Sequence, residues 1–201
     1  MALKAGAWGE ECLITITEVD GTDYNYEALL ETADIDLGDR DIEGIATLGG
    51  GRVVKFTPEA DTTITLEGYA IEAATPDDQA SGTGRGFFGH FWDAPSNDPQ
   101  QISATRTRNK HRIVILWTDD TSMTSAAGAL SSTSKQGLRF IAADGYITSL
   151  KPSFTDGILK FTMTMKVPPY DQNGNANIRV ESTETSNTLG ALNSYTSGTK
   201  W

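Results

Sequence analysis

Cysteine is nearly missing from this chain: Cys12 is the only one in 201 residues, which excludes an intramolecular disulfide framework. Histidine is almost as scarce. His90 and His111 are the two present, and neither has a cysteine or a second histidine at ligand spacing, which argues against a zinc site. Long apolar runs are absent too, so no segment reaches the length of a transmembrane helix. The first twelve residues, MALKAGAWGEEC, lack the apolar stretch of a signal peptide, and Glu10 and Glu11 would interrupt one. Together these absences predict a soluble protein made in a reducing compartment, with Cys12 as a small reduced side chain at the start of a strand. Catalytic signatures are missing as well. There is no G-x-S-x-G elbow, and Cys12 sits in an apolar run without an activating neighbour.

Positive charge is scarce in one half only. Residues 1–80 carry four basic residues (Lys4, Arg40, Arg52, Lys55) against 18 acidic ones, while the remainder carries 12 basic against nine acidic. The net charge of −11 is therefore concentrated at one end of the sequence. Such asymmetry suits a subunit that meets copies of itself through unlike surfaces, although a solubilising acidic face explains it more simply. Nucleic-acid readers need a basic footprint, which is not found here.

What the chain does have is alternation. Residues 138–167 read LRFIAADGYITSLKPSFTDGILKFTMTMKV. Within them Leu159, Phe161, Met163, Met165 and Val167 alternate with Lys160, Thr162, Thr164 and Lys166. A period of two over that length predicts a half-buried strand. The pair Asp156-Gly157 suits a hairpin turn. Leu13–Thr17 forms a β-branched first strand ending at Asp20-Gly21. Residues 24–37 fit a strand better than a helix, because Ala33, Ile35 and Leu37 alternate with acids. After Gly49-Gly50-Gly51, residues 52–57 and 62–67 read as a second hairpin with a longer loop. Residues 105–117 form a strand entering the core through Ile113, Ile115 and Trp117, with Arg106, Arg108, Lys110 and Arg112 on one face of its lead-in. The small residues of 120–134, after a Thr/Ser cap, predict one flanking helix. The fold class is thus mainly β: an antiparallel sandwich or barrel with one helix, long hairpins and extended arms. Residues 1–172 form a single domain with an insertion at about 74–104, and 173–201 form a polar C-terminal arm, ordered only if it finds a groove.

The insertion is rich in Gly, Pro, Ser and Asp, yet carries Phe87, Phe88, Phe91 and Trp92 close together. Such a loop either docks on a partner or caps the protein's own core. Gly84–Gly89 matches G-x-G-x-x-G, but it lacks the preceding strand and following helix that a dinucleotide site requires. The acids Asp34, Asp36, Asp39, Asp41 and Glu43 surround Gly38 without the full pattern of a calcium loop, so a solvated acidic segment is the better reading. No pair of carboxylates stands apart from the other acids as a catalytic pair.

Three segments in order resemble the tail tube (major tail) proteins of tailed viruses of bacteria and archaea. They are the first strand closed by Val19-Asp20-Gly21, the block GGGRVVKFTPEADTTITLEGYAIEA at 49–73, and the hairpin GYITSLKPSFTDGILKFTMTMKVPPYD at 145–171. The resemblance implies a structural virion protein, not an enzyme, with no cofactor and no metal. Its subunits would close into rings, commonly sixfold, and stack as a hollow tube through which DNA passes. Its partners would be copies of itself and other viral tail proteins, with no membrane, in a tail assembled in the host cytoplasm. An acidic lumen would let a phosphate backbone slide without sticking. Asp34, Asp36, Asp39, Asp41 and Glu43 are the candidates for that wall. Candidate contacts between subunits are Trp8, Phe87, Phe88, Phe91, Trp92, Arg106, Arg108, Lys160, Lys166 and Trp201. The alternative is a carbohydrate-binding β-sandwich using Phe87, Phe88, Phe91, Trp92 and His90.

Overall fold

The computed structural model describes residues 11–21, 23–26, 30–56, 58–69, 77–78, 84–85, 108–155, 158–184 and 188–201. Among these residues the secondary structure is entirely β. The strands are β1 (Glu11–Glu18), β2 (Asp23–Tyr26), β3 (Leu30–Asp36), β4 (Ile42–Ala46), β5 (Arg52–Phe56), β6 (Thr62–Tyr69), the two-residue β7 (Asp77–Asp78) and β8 (Gly84–Arg85), β9 (His111–Thr118), β10 (Gly137–Thr155), β11 (Ile158–Val167) and β12 (Ile178–Ser182). One antiparallel sheet runs β2-β1-β9-β10-β11-β6-β3, with β12 added to β10. The pairs β4–β5 and β7–β8 stand apart from it.

The ends of that path are neighbours in sequence: β2 ends at Tyr26 and β3 begins at Leu30. Four residues span at most ~14 Å. The sheet therefore curls until its first and last strands lie near one another.

Strand β10 makes the corner. Residues 137–145 pair with β9, residues 138–142 also pair with β12, and residues 146–155 pair with β11. The ladder shifts register between Ala142 and Gly145 and again between Ile147 and Ser149. Asp144 there adopts a positive φ of 54°. A Cβ on Gly145 would lie 2.8 Å from Val167 Cγ2 and 2.9 Å from Met165 Cε, so only a hydrogen fits where the strand bends over β11.

Inside the curl lies the main core. The alternation of residues 159–167 is borne out, since Phe161, Met163, Met165 and Val167 are buried there with Ile14, Ile16, Ile64, Leu66, Ile113, Ile115 and Phe140. Each such side chain contributes about 1.5–3 kcal/mol by leaving water. Strand β9 differs because both of its faces are buried. Val114 and Leu116 point outward into a second cluster with Leu13, Ile141, Ala126, Leu130 and Leu189.

Two expectations are corrected. Residues 120–134 form successive turns and no helix. Their short polar side chains capture the backbone donors that a helix would use. Asp120 Oδ1 accepts from the Ser122 N–H at 3.3 Å, Asp120 Oδ2 from the Ser131 N–H at 2.7 Å, and Thr118 Oγ1 from the Asp120 N–H at 3.1 Å. Residues 52–57 and 62–67 do not form a hairpin together either. β5 pairs back with β4, whereas β6 pairs with β3 and β11. The turn joining β4 to β5 is closed by the Thr47 N–H to Gly51 O bond of 2.8 Å, with Gly50 at φ 77°.

Candidate assembly surfaces

The half of the sheet formed by β3, β6, β11 and the outer half of β10 turns one face to the core and one away from it. Register places the outward residues in rows across the four strands. Asp34, Thr65, Thr164 and Ser149 form one row, and Asp36, Thr63, Lys166 and Tyr146 the next. Thr32, Glu67, Thr162 and Lys151 form a third. All of these side chains are exposed or half-buried. The face is thus rich in hydroxyls, with acids on β3 and lysines on β10 and β11. Lys160 Nζ pairs with Glu31 Oε2 at 3.0 Å, which draws one lysine to the acidic border.

This half-sheet has open edges on both sides among the described residues. β3 pairs only with β6. The outer half of β10, residues 146–155, pairs only with β11, because its ladder to β9 stops at Gly145 opposite His111. One border carries Asp34 and Asp36, while the other carries Lys151. Pro152, which has no N–H to donate, stands in this outer half of β10, and sheets tolerate proline at an edge.

The β4–β5 hairpin presents a different surface. Both strands are exposed throughout, although they carry Ile42 (64% exposed), Ile45, Val53, Val54 and Phe56 (55%), with Leu48 at the turn. Ile42 pairs with Phe56, Gly44 with Val54, and Ile45 with Val53, so apolar side chains stand on both faces. Arg40 lies over the Phe56 ring at 4.9 Å and pairs with Glu59 at 3.2 Å, which ties the base of the hairpin down. A two-stranded hairpin with no core of its own is marginal in water.

Elsewhere the outward face is covered. Residues 119–135 and the C-terminal strap, residues 188–201, lie over β1, β9 and the inner half of β10. Leu189 and Tyr195 are buried, and Leu192 packs at the margin of the second cluster. Two fully buried arginines clamp this cover. Arg139 donates to Gly128 O at 2.6 Å and Gly190 O at 2.8 Å, and Arg112 to Asn193 O at 2.8 Å and Lys200 O at 3.2 Å. Arg139 also meets Glu181 at 3.4 Å. The Tyr195 hydroxyl donates to Asp144 Oδ1 at 2.8 Å and accepts from the Asp144 N–H at 3.1 Å. Burial, reinforced by Asp144, pushes the Tyr195 hydroxyl above its usual pKa. Sequence reading missed this cover because its signal is thin: Leu189, Leu192 and Tyr195 at steps of three in a polar tract. The groove that the arm needed is in its own sheet.

The acids proposed for a lumen wall are distributed over β3, its connection to β4, and β4 itself. Asp34 and Asp36 stand on the outward face of β3, Asp39 and Asp41 lie in the connection to β4, and Glu43 is in the hairpin opposite Lys55. All five are exposed. Lys160 and Lys166 share the face with Asp34 and Asp36. Arg108 is exposed just before β9. Trp201 is half-buried in its own chain, with Arg179 at 5.8 Å and Lys200 at 5.9 Å from its ring. Trp8, Phe87, Phe88, His90, Phe91, Trp92 and Arg106 lie outside the described residues. No cluster of three or more His, Cys, Asp or Glu side chains suited to a metal occurs among the described residues.

No family model matches this chain, and no curated protein does. Solved structures do. The chain is similar to the sheath/tube terminator of PVC, an extracellular contractile injection system, in its extended state. Identity is 14% and the TM-score 0.51, over 90% of this chain and 99% of that one. It is also similar to the tube-terminating cap of the anti-feeding prophage AFP, with 11% identity and a TM-score of 0.49, over 90% of this chain and 95% of that one. At that level of identity the likeness to the PVC terminator is one of fold alone, a mainly β, antiparallel curled sheet.

Proposed function

We propose that this protein is a structural subunit of a tail-type tube, either its repeating ring or its terminal one, and that it works by self-association. One observation carries the reading: a four-stranded half-sheet that ends on two open edges of opposite charge. An open edge is a row of unsatisfied backbone donors and acceptors, which invites another strand. When the two edges of one sheet differ, copies join head to tail, and such a contact closes into a ring if the rotation allows. In this reading β3 of one copy lies beside residues 146–155 of the next, bringing Asp34 and Asp36 towards Lys151. Charge complementarity of this kind selects the register more than it adds affinity.

The outward face of the half-sheet would then line the channel, since the opposite half is covered by the strap. Asp34 and Asp36 would stand at the seam between subunits. Lys151 and Lys166 on the same face would leave the wall close to charge-balanced. Viral DNA passing such a wall is neither gripped nor strongly repelled. The β4–β5 hairpin, apolar on both faces, would reach to the next ring or to another tail protein.

Charge reversal tests the seam. Asp34→Lys with Asp36→Lys should lower the sedimentation coefficient of the assembled species. Adding Lys151→Asp to the same chain should restore it. Assembly unaffected by either change contradicts the seam.

A further inference from the structure

The end of the C-terminal strap is held by an oxygen cage. The Lys200 ammonium sits 2.6 Å from Asn177 Oδ1, 2.8 Å from Asp171 Oδ2, 3.3 Å from Ala176 O, 3.4 Å from Asn175 O and 3.7 Å from Asp144 Oδ2. An ammonium has three protons to donate. Five oxygens turned to one point, two of them from carboxylates and two from successive backbone carbonyls, exceed what a lysine can use.

The loop that supplies most of them is pre-organised around that point. Asp171 Oδ1 accepts from the N–H groups of Asn173 at 2.8 Å and Asn175 at 2.9 Å, while Oδ2 accepts from Asn175 Nδ2 at 3.1 Å and turns to the Lys200 ammonium at 2.8 Å. Asn177 is 1% exposed, and its Nδ2 donates to Pro168 O at 2.9 Å, which aims Oδ1 inward. Gly174 takes a φ of 81°, letting the chain fold tightly behind. The spacing D-x-N-G-N-x-N places oxygen-bearing side chains at alternate positions 171, 173, 175 and 177, the pattern by which hard cations are wrapped. Lys200, and then the amides of Asn175, hold the Asp171 carboxyl well below the usual carboxylate range, as expected of a group that faces a cation.

We propose that the Asp171–Asn177 loop, completed by Asp144, is a calcium-type site that the Lys200 ammonium occupies as a tethered competitor. Ca²⁺ and the end of the strap then exclude one another. Calcium takes six to eight oxygens at about 2.3–2.6 Å, so the five oxygens draw in slightly and water supplies the rest. The two carboxylates match its charge. Lys110, whose Nζ lies 3.4 Å from the same Asp144 oxygen, is a second cation beside the cage, and its half-exposed side chain can swing outward. When calcium enters, Lys200 leaves, and residues 196–201 with Trp201 are freed from the sheet.

Calorimetric titration with CaCl₂ of the full chain, Lys200→Met, and Lys200→Met/Asp171→Asn tests this. Lys200→Met should bind one Ca²⁺ about tenfold or more tightly than the full chain, the effect of removing a tethered competitor. Asp171→Asn in that background should abolish binding, with amide exchange of β9–β11 confirming that the fold persists. In the unaltered chain, about 10 mM CaCl₂ should raise amide exchange of residues 196–201, and MgCl₂, which demands a tighter octahedral shell, should not. Lys200→Met binding no more tightly than the full chain overturns the proposal. So does binding that survives Asp171→Asn, or exchange at 196–201 that calcium leaves unchanged.

Discussion

Two hairpins of this chain carry comparable apolar content and meet opposite fates. In β10–β11, Phe161, Met163, Met165 and Val167 are buried, and the neighbouring strand β6 completes the sheet. In β4–β5, Ile42, Ile45, Val53, Val54 and Phe56 all remain about half exposed or more, with no third strand beside them among the described residues. Side-chain type does not separate the two. Arrangement does: β11 concentrates its apolar residues on one face, whereas β4–β5 divides them between two. A hairpin with two apolar faces cannot bury both against one core. It is left as an exposed apolar surface, the kind that marks interaction sites.

Breaking the buried hairpin gives the largest effect. Met163→Ala removes a fully buried side chain from the middle of the core and should cost about 2–5 kcal/mol of folding stability, read from chemical denaturation. Next comes the bend that lets β10 serve both halves of the sheet. Gly145→Ala drives a methyl group against Val167 and Met165, and should cost about 1–3 kcal/mol by the same measurement.

A third change concerns how the covered half is held. Burial alone would raise the Asp120 carboxyl, but hydrogen bonds from the side chains and amides of Ser131 and Ser122 outweigh it and hold the group well below the usual range. A depressed folded-state pKa adds stability that is present at neutral pH and disappears as the group is protonated. Stability should therefore fall as pH drops below about 4. Asp120→Asn should be less stable at pH 7 and show a shallower acid limb, visible in thermal melts across pH. The smallest effect on folding belongs to the exposed hairpin. Ile45→Ser with Val54→Ser and Phe56→Ser should change stability by only about 0.5–1 kcal/mol, while removing the ring-to-ring contact proposed for this hairpin, read by sedimentation. If that variant unfolds instead, the hairpin belongs to the core and the contrast between the two is lost.

The same contrast explains what could be read from residues alone. Strict alternation at 159–167 marks β11, and β-branched runs mark β1 and β9. The Asp20-Gly21 turn was equally legible. Strand β4 was not, because Ile42-Glu43-Gly44-Ile45-Ala46 has no single apolar face and contains a glycine. Without a sequence signal for β4, β5 pairs on paper with the next strand along the chain, so the pairing differs while the strand itself is present. Segment 120–134 misled because small residues suit a helix, while the local hydrogen bonds of Asp120 and Thr118 decide otherwise. Arg112 reads as part of a basic lead-in to its strand, and only the fold shows that it lies buried under the strap together with Arg139. The acidic segment 34–43 is continuous in sequence but spans β3, a connection and β4, so Asp34 and Asp36 belong to the half-sheet and Glu43 to the separate hairpin. Open edges are a property of sheet order, which no local pattern encodes.

Self-association through those edges can be seen in negative-stain electron micrographs of the purified chain. Rings or short tubes with an open centre are expected, lost in the Asp34→Lys/Asp36→Lys chain and recovered when Lys151→Asp is added. Single particles of monomer size at every concentration reached would contradict it.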